Sequence, residues 1–524
     1  MSGVPAVCIL TAGRGTRMGS WAEQINKALL PLHNRAIISH IIEKFPAETE
    51  YVIAVGHLQE QVRQYLAIAH PDRKFTIVQV RNYGGPGSGP GQSLRCCRSY
   101  LERPFYFVSC DTLWENDLPA PGDYSWLGVA AVPVGDSPRY CNLRIDVGRI
   151  GELRDKVPVM DPAYQAFVGL CYIYEHAVFW KGLEGGEIVA GEHQVSSGLR
   201  ALIRQCEVRP QSIVWTDVGT AETYGRAVSK SADYNFSKSD EFFYTVGSKV
   251  IKYFVDSNIA ERRVARAALN PDVFPTITDH AGGFYAYTYQ PGDTLYQCNS
   301  PDILRSLLCW LDEKVWRKVT VDQTVVRQAC QVFYKEKTLK RLEAYRRKYA
   351  GDTQPTVING ENMPPFEELL AQVPWGELEQ GVPSFIHGDL QFDNILYDQA
   401  TRTFKLLDWR QDFAGHTTFG DLYYDLAKIR GGIIVNYDYI KRNLLNYRED
   451  GDRATFDFAQ RYQSGRLLGI LDDYVRSRGL DVDKVGLLVA LIYLNMAPLH
   501  HYPFDKMLHA LGHVLMAAEL GRRA

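Results

Sequence analysis

A glycine-rich stretch near the start of this 524-residue sequence has the composition of a phosphate-binding loop. In VCILTAGRGTRMG, an apolar run leads directly into Gly13, Arg14, Gly15 and Thr16. Glycines allow a tight turn in which successive backbone N–H groups point into one concavity, and such a nest binds phosphate oxygens. The arginine adds bidentate donors. A strand followed by glycine is also an ordinary tight turn, so this stretch alone leaves both interpretations open.

Three charged residues further along the chain favour the phosphate interpretation. Lys27, in NKALLPL, follows the glycine stretch closely enough for a loop to bring its ammonium to an α-phosphate. Asp111 and Asp217 end the strand-like runs FYFVSCD and IVWTD, and carboxylates at the C-terminal edge of parallel strands lie where α/β sheets bind ligands. Mg²⁺ prefers hard oxygen ligands of this kind. Lys27 is therefore a predicted catalytic residue, and Asp111 and Asp217 are predicted metal ligands.

A second constellation lies in HGDLQFDNIL and the following LLDW. Asp389 precedes Asn394 by five residues, and Asp408 comes after a hairpin-like segment. Protein kinases place a catalytic Asp, an Asn five residues later and a metal-binding Asp on the next strand in this order. The spacing therefore predicts Asp389 as the general base and Asn394 and Asp408 as ligands of Mg²⁺.

The segment upstream of this constellation is expected to supply a small nucleotide-binding lobe. Lys252 in SKVIKYF lies on a strand-like run, where a lysine would bind the α- and β-phosphates of ATP. Glu261 opens the next helical pattern and is the predicted ion-pair partner of Lys252. Lys249 is an alternative to Lys252, and an ordinary surface ion pair is the alternative for both lysines.

Composition excludes several classes of function. The net charge of −3 offers no basic balance for nucleic acid, and hydrophobic residues at 46% are ordinary for a globular chain. The ten cysteines show no zinc-like spacing, so reduced thiols are expected. The N-terminal apolar run VPAVCIL is too short for a signal peptide or a membrane span. The sequence therefore predicts a cytoplasmic enzyme without membrane insertion and without a nucleic-acid partner.

The order of elements predicts two domains. Residues 4–230 alternate short apolar runs with helical patterns, which is typical of a Rossmann-like α/β layer. The polar stretch SKSADYNFSKSDEF (229–242) is the predicted boundary. Beyond it, strand-like pieces precede long amphipathic helices, and 340–380 is expected to be a surface excursion. We predict domains at 1–230 and 231–524, the second an α+β bilobal kinase-like domain.

The first half resembles a known enzyme family over roughly residues 4–230. LTAGRGTRMG, NKALLPL, Asp111 and WTDVGT are similar to nucleotidyltransferases that couple a nucleoside triphosphate to a phosphorylated small molecule. The resemblance implies attack of the acceptor's phosphate on the α-phosphorus, with release of pyrophosphate. Asn26 stands where sugar-nucleotide members usually have proline, and NKALLPL is closer to bacterial phosphocholine cytidylyltransferases, so CTP is expected. The resemblance adds Arg14 as a catalytic residue and, as nucleotide-binding residues, Leu10, Ala12, Gly13, Gly15 and Thr16.

Two further positions take a role from this resemblance. The segment RNYGGPGSGPGQSL (81–94) lies where the family reads its base, so Gly87, Ser88 and Gln92 are expected to bind the nucleobase. A flexible linker is the alternative, since Gly/Pro/Ser runs are linkers more often than not. Lys156 occupies the position of a second family lysine that approaches the acceptor's phosphate, and an exposed loop lysine is the alternative there.

The second half resembles the aminoglycoside phosphotransferase and choline kinase superfamily over roughly residues 240–524. HGDLQFDNILYD, LLDWR and FGDLYYDLAKI stand in the expected order. The resemblance implies that Asp421 and Asp425 support the catalytic loop. Only a short stretch separates Asp408 from Asp421, which leaves no room for a protein-kinase activation loop, so a small-molecule acceptor is expected. The half is also rich in aromatic residues that would suit either a quaternary-ammonium cage or a core.

Together the two halves predict consecutive reactions. The second half would phosphorylate a small alcohol with ATP, and the first would couple that phosphate to CTP or another nucleoside triphosphate. Choline is the first candidate acceptor, which would give a CDP-activated headgroup for surface polysaccharide or lipid decoration. A sugar kinase fused to a sugar-1-phosphate nucleotidyltransferase is the alternative, and a degenerate regulatory half is a further one. Mg²⁺ is the expected cofactor, and a homo-oligomer is compatible with the sequence.

Overall fold

The computed structural model describes residues 4–186, 188–189, 191–228 and 240–523. These residues form two compact units of mixed α/β structure. The first comprises the described parts of Met1–Ser231, Lys238–Val255 and Asp279–Ala286. The second comprises Asp256–Thr278 and the described part of Tyr287–Ala524. The predicted α/β fold class is confirmed, whereas residues 229–239 of the predicted boundary lie outside the described residues.

A nine-stranded sheet forms the centre of the first unit. Its order is β10-β9-β11-β6-β1-β4-β5, with β8 beside β11 and β14 beside β8. The strands of this part of the chain are β1 (Ala6–Leu10), β2 (Pro31–Leu32), β3 (Arg35–Ala36), β4 (Glu50–Val55), β5 (Lys74–Gln79), β6 (Phe105–Ser109), β7 (Thr112–Trp114), β8 (Ser125–Ala130), β9 (Cys141–Asp146), β10 (Arg149–Asp155), β11 (Tyr164–Ile173), β12 (Ile188–Val189), β13 (Glu192–His193), β14 (Val208–Ser212) and β15 (Trp215–Asp217).

Strand β1 shows why the sheet forms where the apolar runs lie. It pairs in parallel with β4 on one side and with β6 on the other. Val7 and Ile9 belong to one hydrophobic cluster, while Ala6 and Cys8 belong to the other. Because both faces are covered, the strand is an uninterrupted apolar run rather than an alternating one. The glycine stretch thus begins at the carboxyl edge of a central parallel strand.

Helices cover this sheet and connect its strands. The longest of them, α2, buries Val62, Tyr65 and Leu66 and exposes polar residues, as an amphipathic surface helix does. The helices of this part of the chain are α1 (Ile37–Ile42), α2 (Gln59–Ala69), α3 (Pro90–Cys96), α4 (His176–Glu184), α5 (Ser196–Gln205) and α6 (Ala221–Val228).

A four-stranded sheet beyond residue 240 packs largely with the first unit. Its strands are β16 (Glu241–Val246), β17 (Lys249–Phe254), β18 (Ile277–Ala281) and β19 (Phe284–Thr288), in the order β16-β17-β19-β18. The ring of Tyr244 lies 5.0 Å from that of Tyr65 on α2, and the Gln61 amide donates to the Tyr253 hydroxyl at 2.7 Å. These residues were predicted to belong to the second domain, yet their apolar side chains share a core with α2.

The second unit is mostly helical. Its helices are α7 (Ser257–Leu269), α8 (Leu295–Cys298), α9 (Pro301–Lys314), α10 (Gln323–Cys330), α11 (Lys337–Lys348), α12 (Phe366–Gln372), α13 (Trp375–Leu378), α14 (Leu422–Ile434), α15 (Tyr437–Lys441), α16 (Ser464–Ser477), α17 (Val482–Met496) and α18 (Phe504–Arg523). Between α10 and α11 the chain forms a π-helical turn over Gln331–Glu336.

Short strands complete the second unit. They are β20 (Asp293–Thr294), β21 (Val357–Ile358), β22 (Glu361–Asn362), β23 (Pro383–Ser384), β24 (Ile395–Asp398), β25 (Thr403–Leu406), β26 (Gly420–Asp421), β27 (Leu445–Asp450) and β28 (Arg453–Phe458). Strands β22-β21-β28-β27 form one sheet. The segment 340–380 is therefore a paired part of the fold and not only the predicted surface excursion. Residues 455–458 belong to β28 and not to one of the predicted amphipathic helices, because Gly451 (φ 61°) turns the chain between β27 and β28.

One helix of the described residues is long and apolar enough to cross a membrane. The window Val482–Leu499 meets that criterion by length and composition, and 67% of it is buried inside the protein. Helix α17 packs against α14 and α18. A buried core helix has the same length and composition.

Two candidate active sites

The glycine stretch forms an open turn at the end of β1. Gly15 has φ 65°, and a Cβ built on Gly13 would meet no atom within 4 Å. Arg14 and Thr16 are exposed. A Cβ on Gly84 would lie 2.9 Å from Arg14 Nε, so that glycine gives the guanidinium its space. The structure thus brings the turn and the 81–94 segment together beside the carboxyl end of β1.

Lys27 and Asp111 form an ion pair at this end of the sheet. Lys27 Nζ lies 2.6 Å from Asp111 Oδ2, and the two side chains are only 9% and 19% exposed. Ser109 donates a hydrogen bond to the other carboxylate oxygen. Burial raises the pKa of Asp111, but Lys27 and Ser109 outweigh burial and hold the pKa at about 2. Asp111 is therefore a permanent carboxylate, available as an oxygen ligand at any physiological pH.

Asn26 holds the lysine in position. Its amide donates to the carbonyl oxygens of Thr11, at 3.0 Å, and His57, at 2.7 Å. Its Oδ1 accepts the N–H of Ala28 at 2.9 Å and caps the short 3-10 turn that Lys27 begins. The residue noted in the sequence as a departure from proline thus ties the lysine turn to the end of β1.

Asp217 reaches the same site by a different route from the one predicted. Strand β15 pairs antiparallel with β7 in a two-stranded ribbon, outside the parallel sheet, and Asp217 lies opposite Thr112. Gly219 links the two carboxylates: its N–H donates to Asp217 Oδ1 at 2.7 Å, and its carbonyl accepts from Lys27 at 3.2 Å. A Cβ on Gly219 would lie 2.7 Å from Asp217 and 3.2 Å from Asp111, so glycine is needed there.

Two residues that the sequence did not single out complete this cluster. The Tyr140 hydroxyl donates to Asp217 Oδ2 at 3.0 Å, and Arg139 lies 3.7 Å from the same oxygen. The Tyr140 carbonyl accepts the backbone N–H of Lys156 at 3.0 Å, while the Lys156 ammonium lies 3.9 Å from Glu192. The backbone of Lys156 therefore borders the cluster, and its half-exposed side chain faces an acidic residue.

The 81–94 segment is more tightly packed than a linker. The Ser88 hydroxyl donates to the Gly85 carbonyl at 2.7 Å, and Ser88 is 5% exposed. A Cβ on Gly91 would lie 2.8 Å from the carbonyl oxygens of His193 and Gln194. Glycine at this position therefore permits close packing against β13. Gly87 (φ 78°) stays open, with Asn82 the nearest side chain, and Gln92 lies on α3. Ser88 thus has a structural contact beyond its predicted role.

The first cluster has the donor set that Mg²⁺ requires. Asp111 and Asp217 converge on Gly219 and present carboxylate oxygens, and Mg²⁺ commonly takes one or two carboxylates together with substrate phosphates. The described residues contain no group of three or more His, Cys, Asp or Glu side chains arranged for a metal. Two protein carboxylates thus fit an ion whose remaining ligands come from a nucleotide.

In the second unit the predicted base is paired with a lysine that sequence reasoning missed. Lys428 Nζ on α14 lies 2.7 Å from Asp389 Oδ1, with the lysine 7% and the aspartate 39% exposed. Burial raises the pKa of Asp389, but Lys428 and neighbouring positive charge outweigh it and hold the pKa below its ordinary value. Asp389 is thus ionised and partly exposed to solvent, whereas the ammonium of Lys428 is buried. In the sequence this lysine belongs to DLAK, which has no fixed distance from HGD. The spacing of the motif therefore did not reveal it.

His387 and Asp425 fix the loop that carries Asp389. Asp425 accepts the N–H groups of His387, at 2.8 Å, and Gly388, at 2.7 Å, and also the Trp316 indole at 3.0 Å. His387 donates from Nε2 to the Leu407 carbonyl at 2.8 Å and accepts the Asp389 N–H at Nδ1. Burial lowers the pKa of His387 to about 4 and raises that of Asp425 to about 6.

Asn394 and Asp408, the predicted metal ligands of the second unit, each have a contact that bears on their role. The Asn394 amide donates to the Asp389 carbonyl at 3.0 Å, which leaves its carbonyl oxygen as an acceptor. Asp408 has φ 53°, and Arg263 lies 3.6 Å from its Oδ1. An amide oxygen and a carboxylate are ligands of the type Mg²⁺ takes beside ATP phosphates. Asp421 caps α14 and accepts the Tyr334 hydroxyl, at 2.7 Å, as a supporting residue.

The structure places Glu241, and not the predicted Glu261, beside the ammonium of Lys252. Lys252 on β17 is buried, and its ammonium lies 3.7 Å from Glu241 on the neighbouring strand β16. Glu261, the expected partner, is exposed on α7. The two strands pair antiparallel with Lys252 opposite Phe243, and this register brings Glu241 within reach. The alternative, Lys249, lies 3.0 Å from Asp279.

The aromatic residues of the second unit pack as a core. Trp316 donates to Asp425, and Trp409 donates to the Arg263 carbonyl at 2.7 Å. Tyr437 contacts Met496, and Tyr423 accepts the N–H of Asp481 at 3.0 Å. These side chains are buried, and their polar atoms are engaged in the fold. The core interpretation of these aromatics fits the structure better than a quaternary-ammonium cage.

Two family models match the chain, one in each half. Residues 7–118 match the MobA-like NTP transferase domain. Residues 259–467 match the phosphotransferase enzyme family. The first match contains the glycine turn, Lys27 and Asp111, and the second contains Asp389, Lys428 and Asp408.

Curated relatives are similar to part of the chain. Bifunctional protein GlmU of Methanocaldococcus jannaschii is 26% identical over 217 residues, 40% of this chain and 50% of the relative. The chain thus spans about half the length of such relatives. CMP-5'-(3-aminopropyl)phosphonate synthase of Streptomyces rubellomurinus is 28% identical over 109 residues, 20% of this chain and 17% of that protein.

Solved structures also resemble part of the chain. A UDP-glucose pyrophosphorylase complexed with UDP-glucose has a TM-score of 0.38 at 18% identity, and covers 43% of this chain and 98% of its own. The inositol-1-phosphate CTP transferase from T. maritima has a TM-score of 0.36 at 14% identity, and covers 44% of this chain and 97% of its own. Scores of this size carry no argument about substrates.

Proposed function

We propose, for an enzyme that carries a MobA-like NTP transferase domain and a phosphotransferase domain, that its two activities are consecutive steps on one small molecule. The phosphotransferase domain phosphorylates an alcohol with ATP. The nucleotidyltransferase domain then joins that phosphate to a nucleotide, with CTP as the first candidate. The observation that carries the proposal is that each domain has its own lysine–aspartate pair, Lys27 with Asp111 and Lys428 with Asp389.

In the first step the acceptor hydroxyl attacks the γ-phosphorus of ATP. The new bond joins the hydroxyl oxygen to that phosphorus, the bond to the bridging oxygen breaks, and ADP leaves. The hydroxyl proton passes to Asp389, which is ionised and solvent-facing. Lys428 keeps Asp389 oriented and offers positive charge to the transferred phosphoryl oxygens. Asn394 and Asp408 would hold Mg²⁺, which neutralises phosphate charge.

In the second step a phosphate oxygen of the product attacks the α-phosphorus of the nucleoside triphosphate, and pyrophosphate leaves. The glycine turn at Gly13–Thr16 and Arg14 bind the triphosphate, and Lys27 stabilises charge that develops at the α-phosphate. Asp111 and Asp217 would hold Mg²⁺. The protein needs no covalent nucleophile, because positioning and electrostatic stabilisation account for most of such chemistry.

Support for CTP comes from two sources. The sequence NKALLPL, in which Asn26 ties the Lys27 turn to the end of β1, is closer to bacterial phosphocholine cytidylyltransferases than to sugar-nucleotide members. A relative over 109 residues is named as a CMP-phosphonate synthase. The product would be a CDP-linked headgroup for transfer to a surface polysaccharide or lipid, made in the cytoplasm where ATP and CTP are available. A sugar acceptor with another nucleotide is the alternative.

The test is mass spectrometry of the purified protein with Mg²⁺, ATP, each of four nucleoside triphosphates and a panel of alcohols that includes choline and sugars. We expect a phosphorylated alcohol to appear first and a nucleotide-linked product second. Asp389→Asn should remove the first product, and Asp111→Asn should remove only the second. Products that form in the opposite order, or one variant that removes neither product, would refute the proposal.

A further inference from the structure

Positive side chains crowd one side of the predicted base Asp389. Lys428 contacts it directly, at 2.7 Å. The side chain of Arg410 packs against Gly388, the residue before the base: a Cβ built on Gly388 would lie 2.8 Å from Arg410 Cβ and 3.3 Å from its Cδ. The guanidinium of Arg410 then lies 4.8 Å from the centre of the Phe333 ring.

Lys337 reaches the same aromatic surface from α11. Its ammonium lies 4.1 Å from the Phe333 ring and 6.0 Å from the Tyr424 ring. Tyr424 is one helical turn before Lys428 on α14, and the Phe333 and Tyr424 rings are 4.8 Å apart in an edge-to-face contact. Lys337 and Arg410 therefore share the ring of Phe333, and Lys428, which contacts Asp389, follows the adjoining Tyr424 on α14. We call Lys337, Arg410 and Lys428 the cation cluster.

Among the described residues, Lys337 and Arg410 form no ion pair, whereas Lys428 is paired with Asp389. Lys337 forms no ion pair or hydrogen bond among the described residues, and the buried Nε of Arg410 has no hydrogen-bond partner. Burial lowers the pKa of Lys337 well below its ordinary value, and Arg410, Lys428 and Arg341 lower it further, whereas Asp389 raises it. A bound anion would favour the charged form of Lys337, so this lysine and the unpartnered Nε of Arg410 suit a ligand that supplies an anion.

A π-helical turn directly precedes Lys337 in the chain. Lys337 is the first residue of α11 and follows the π-helical turn Gln331–Glu336, which contains Phe333. A π-helical turn rotates the residues beyond it relative to a regular helix, and such turns occur frequently at functional sites. This turn places the ammonium of Lys337 over the ring of Phe333.

We propose that the alcohol phosphorylated at Asp389 carries an oxyanion, either a carboxylate or a phosphonate, and that Lys337 and Arg410 bind this group. The proposal rests on the proposed function and names its acceptor class. A quaternary ammonium would meet repulsion from the cation cluster, so choline, the acceptor expected from the sequence, is disfavoured. An oxyanion that accepts from both cations fixes the hydroxyl of the same molecule beside Asp389.

Binding of simple ions tests the proposal without knowledge of the substrate. Saturation-transfer NMR on the full chain would measure methylphosphonate, acetate and tetramethylammonium, with Mg²⁺ and a non-hydrolysable ATP analogue at saturation so that the ATP phosphates already fill their own site. We expect both anions to bind and tetramethylammonium not to bind. Lys337→Met should weaken anion binding roughly ten-fold, as loss of a charge-assisted contact does. The control Lys340→Met, an exposed lysine of the same helix, should leave it unchanged.

Other results would overturn the oxyanion site. Tetramethylammonium binding without anion binding, no binding of any ion, or equal anion binding in wild type and Lys337→Met would each do so. Weaker binding of the ATP analogue by Lys337→Met, with anion binding intact, would assign the cation cluster to ATP instead.

Turnover gives a second, independent measurement. Matched pairs of alcohols, glycerol with glycerate, and glucose with glucuronate, would be compared with choline and 2-hydroxyethylphosphonate by ADP release. We expect the highest kcat/KM in the anionic class. Lys337→Met should raise the KM of an anionic alcohol about ten-fold and leave kcat unchanged. A best substrate that is neutral or cationic would overturn the oxyanion site and leave the two-step function standing. If no alcohol of any charge is phosphorylated, the proposed function fails, and the NMR result still decides the oxyanion site.

Discussion

The ammonium of Lys27 lies 2.6 Å from Asp111 in one unit, and the ammonium of Lys428 lies 2.7 Å from Asp389 in the other. The surroundings of the two pairs differ in sign. A second carboxylate, Asp217, stands beside the first pair across Gly219. Near the second pair, Arg410 packs against Gly388 and shares the Phe333 ring with Lys337.

The difference shows how one kind of ion pair serves two kinds of chemistry. In the first unit the aspartate is fixed as a carboxylate with a pKa of about 2, next to another carboxylate, which suits a cation between them. In the second unit the aspartate is the exposed partner, and the surplus charge around it is positive, which suits an anionic substrate. The lysine–aspartate pair alone does not indicate the role of its aspartate. The charged residues next to the pair do.

The largest expected effect separates the two units. Asp389→Asn should lower the rate of ATP-dependent phosphorylation by about 10²–10⁴-fold, because a general base is lost. Nucleotidyl transfer to a supplied phosphorylated acceptor should stay unchanged in this variant. Asp111→Asn should show the reverse pattern. Initial rates of ADP and pyrophosphate release measure both, and a variant that lowers both rates equally would show that the sites are not independent.

A smaller effect is expected when the lysine of each pair is removed. Lys27→Met should lower the rate of nucleotidyl transfer by about 10²–10³-fold, because it removes a preorganised positive charge at the α-phosphate. Lys428→Met should raise the pKa of Asp389 and lower the phosphorylation rate, while the ATP concentration for half-saturation stays similar. Stopped-time assays of each half-reaction check both. An unchanged pH profile in Lys428→Met would contradict the account of that pair.

The pH dependence of the two activities should differ. Ionised Asp425 accepts the backbone N–H groups of His387 and Gly388, and its pKa is raised to about 6. As the pH falls through about 6, Asp425 gains a proton, these contacts weaken, and phosphorylation should slow. The rate of nucleotidyl transfer should not fall in this pH range through protonation of Asp111, because its pKa is about 2.

The stability effect of Asp425 has the opposite sign to its effect on activity. Its pKa is raised in the folded state, so protonation favours the folded state, and acid inactivation near pH 6 should not come with unfolding by this group. Profiles of kcat/KM for each half-reaction between pH 5 and 8, with circular dichroism at each pH, test this. A transferase profile with the same acid limb would contradict the assignment.

The smallest expected effect concerns the support of Lys27. Asn26→Ala removes the two bonds to the Thr11 and His57 carbonyls and the cap of the lysine turn. The free energy of unfolding should fall by about 1–2 kcal/mol. Nucleotidyl transfer should slow by about ten-fold, because a displaced lysine loses its geometry. Thermal unfolding and the unaffected phosphorylation rate of the same variant provide the measurement and its control.

Local spacing predicted much of the two sites. The apolar run into Gly13 and the HGD, Asn and Asp spacing depend on residues close in sequence, and the family matches confirm a nucleotidyltransferase and a phosphotransferase. The roles of the individual residues remain predictions. Lys428 and Lys337 were not found, because helices with no fixed distance from Asp389 bring them to it.

Other features depend on tertiary packing that no local pattern carries. Glu241 rather than Glu261 reaches Lys252 through strand register, and the hydroxyl of Ser88 is used inside its own loop. The strands at 240–255 share a core with α2 across nearly two hundred residues of sequence. Pairing at that separation is set by which apolar faces are left uncovered, and that is known only once the sheet is built.

The central claim is that the two clusters act in sequence on one molecule. The most direct measurement mixes the separate Asp389→Asn and Asp111→Asn proteins with Mg²⁺, ATP, CTP and the best acceptor of the panel, and follows products by mass spectrometry. Neither variant alone should form the nucleotide-linked product, and the mixture should form it after the phosphorylated acceptor accumulates. A mixture that accumulates the phosphorylated acceptor but never the nucleotide-linked product would contradict the claim.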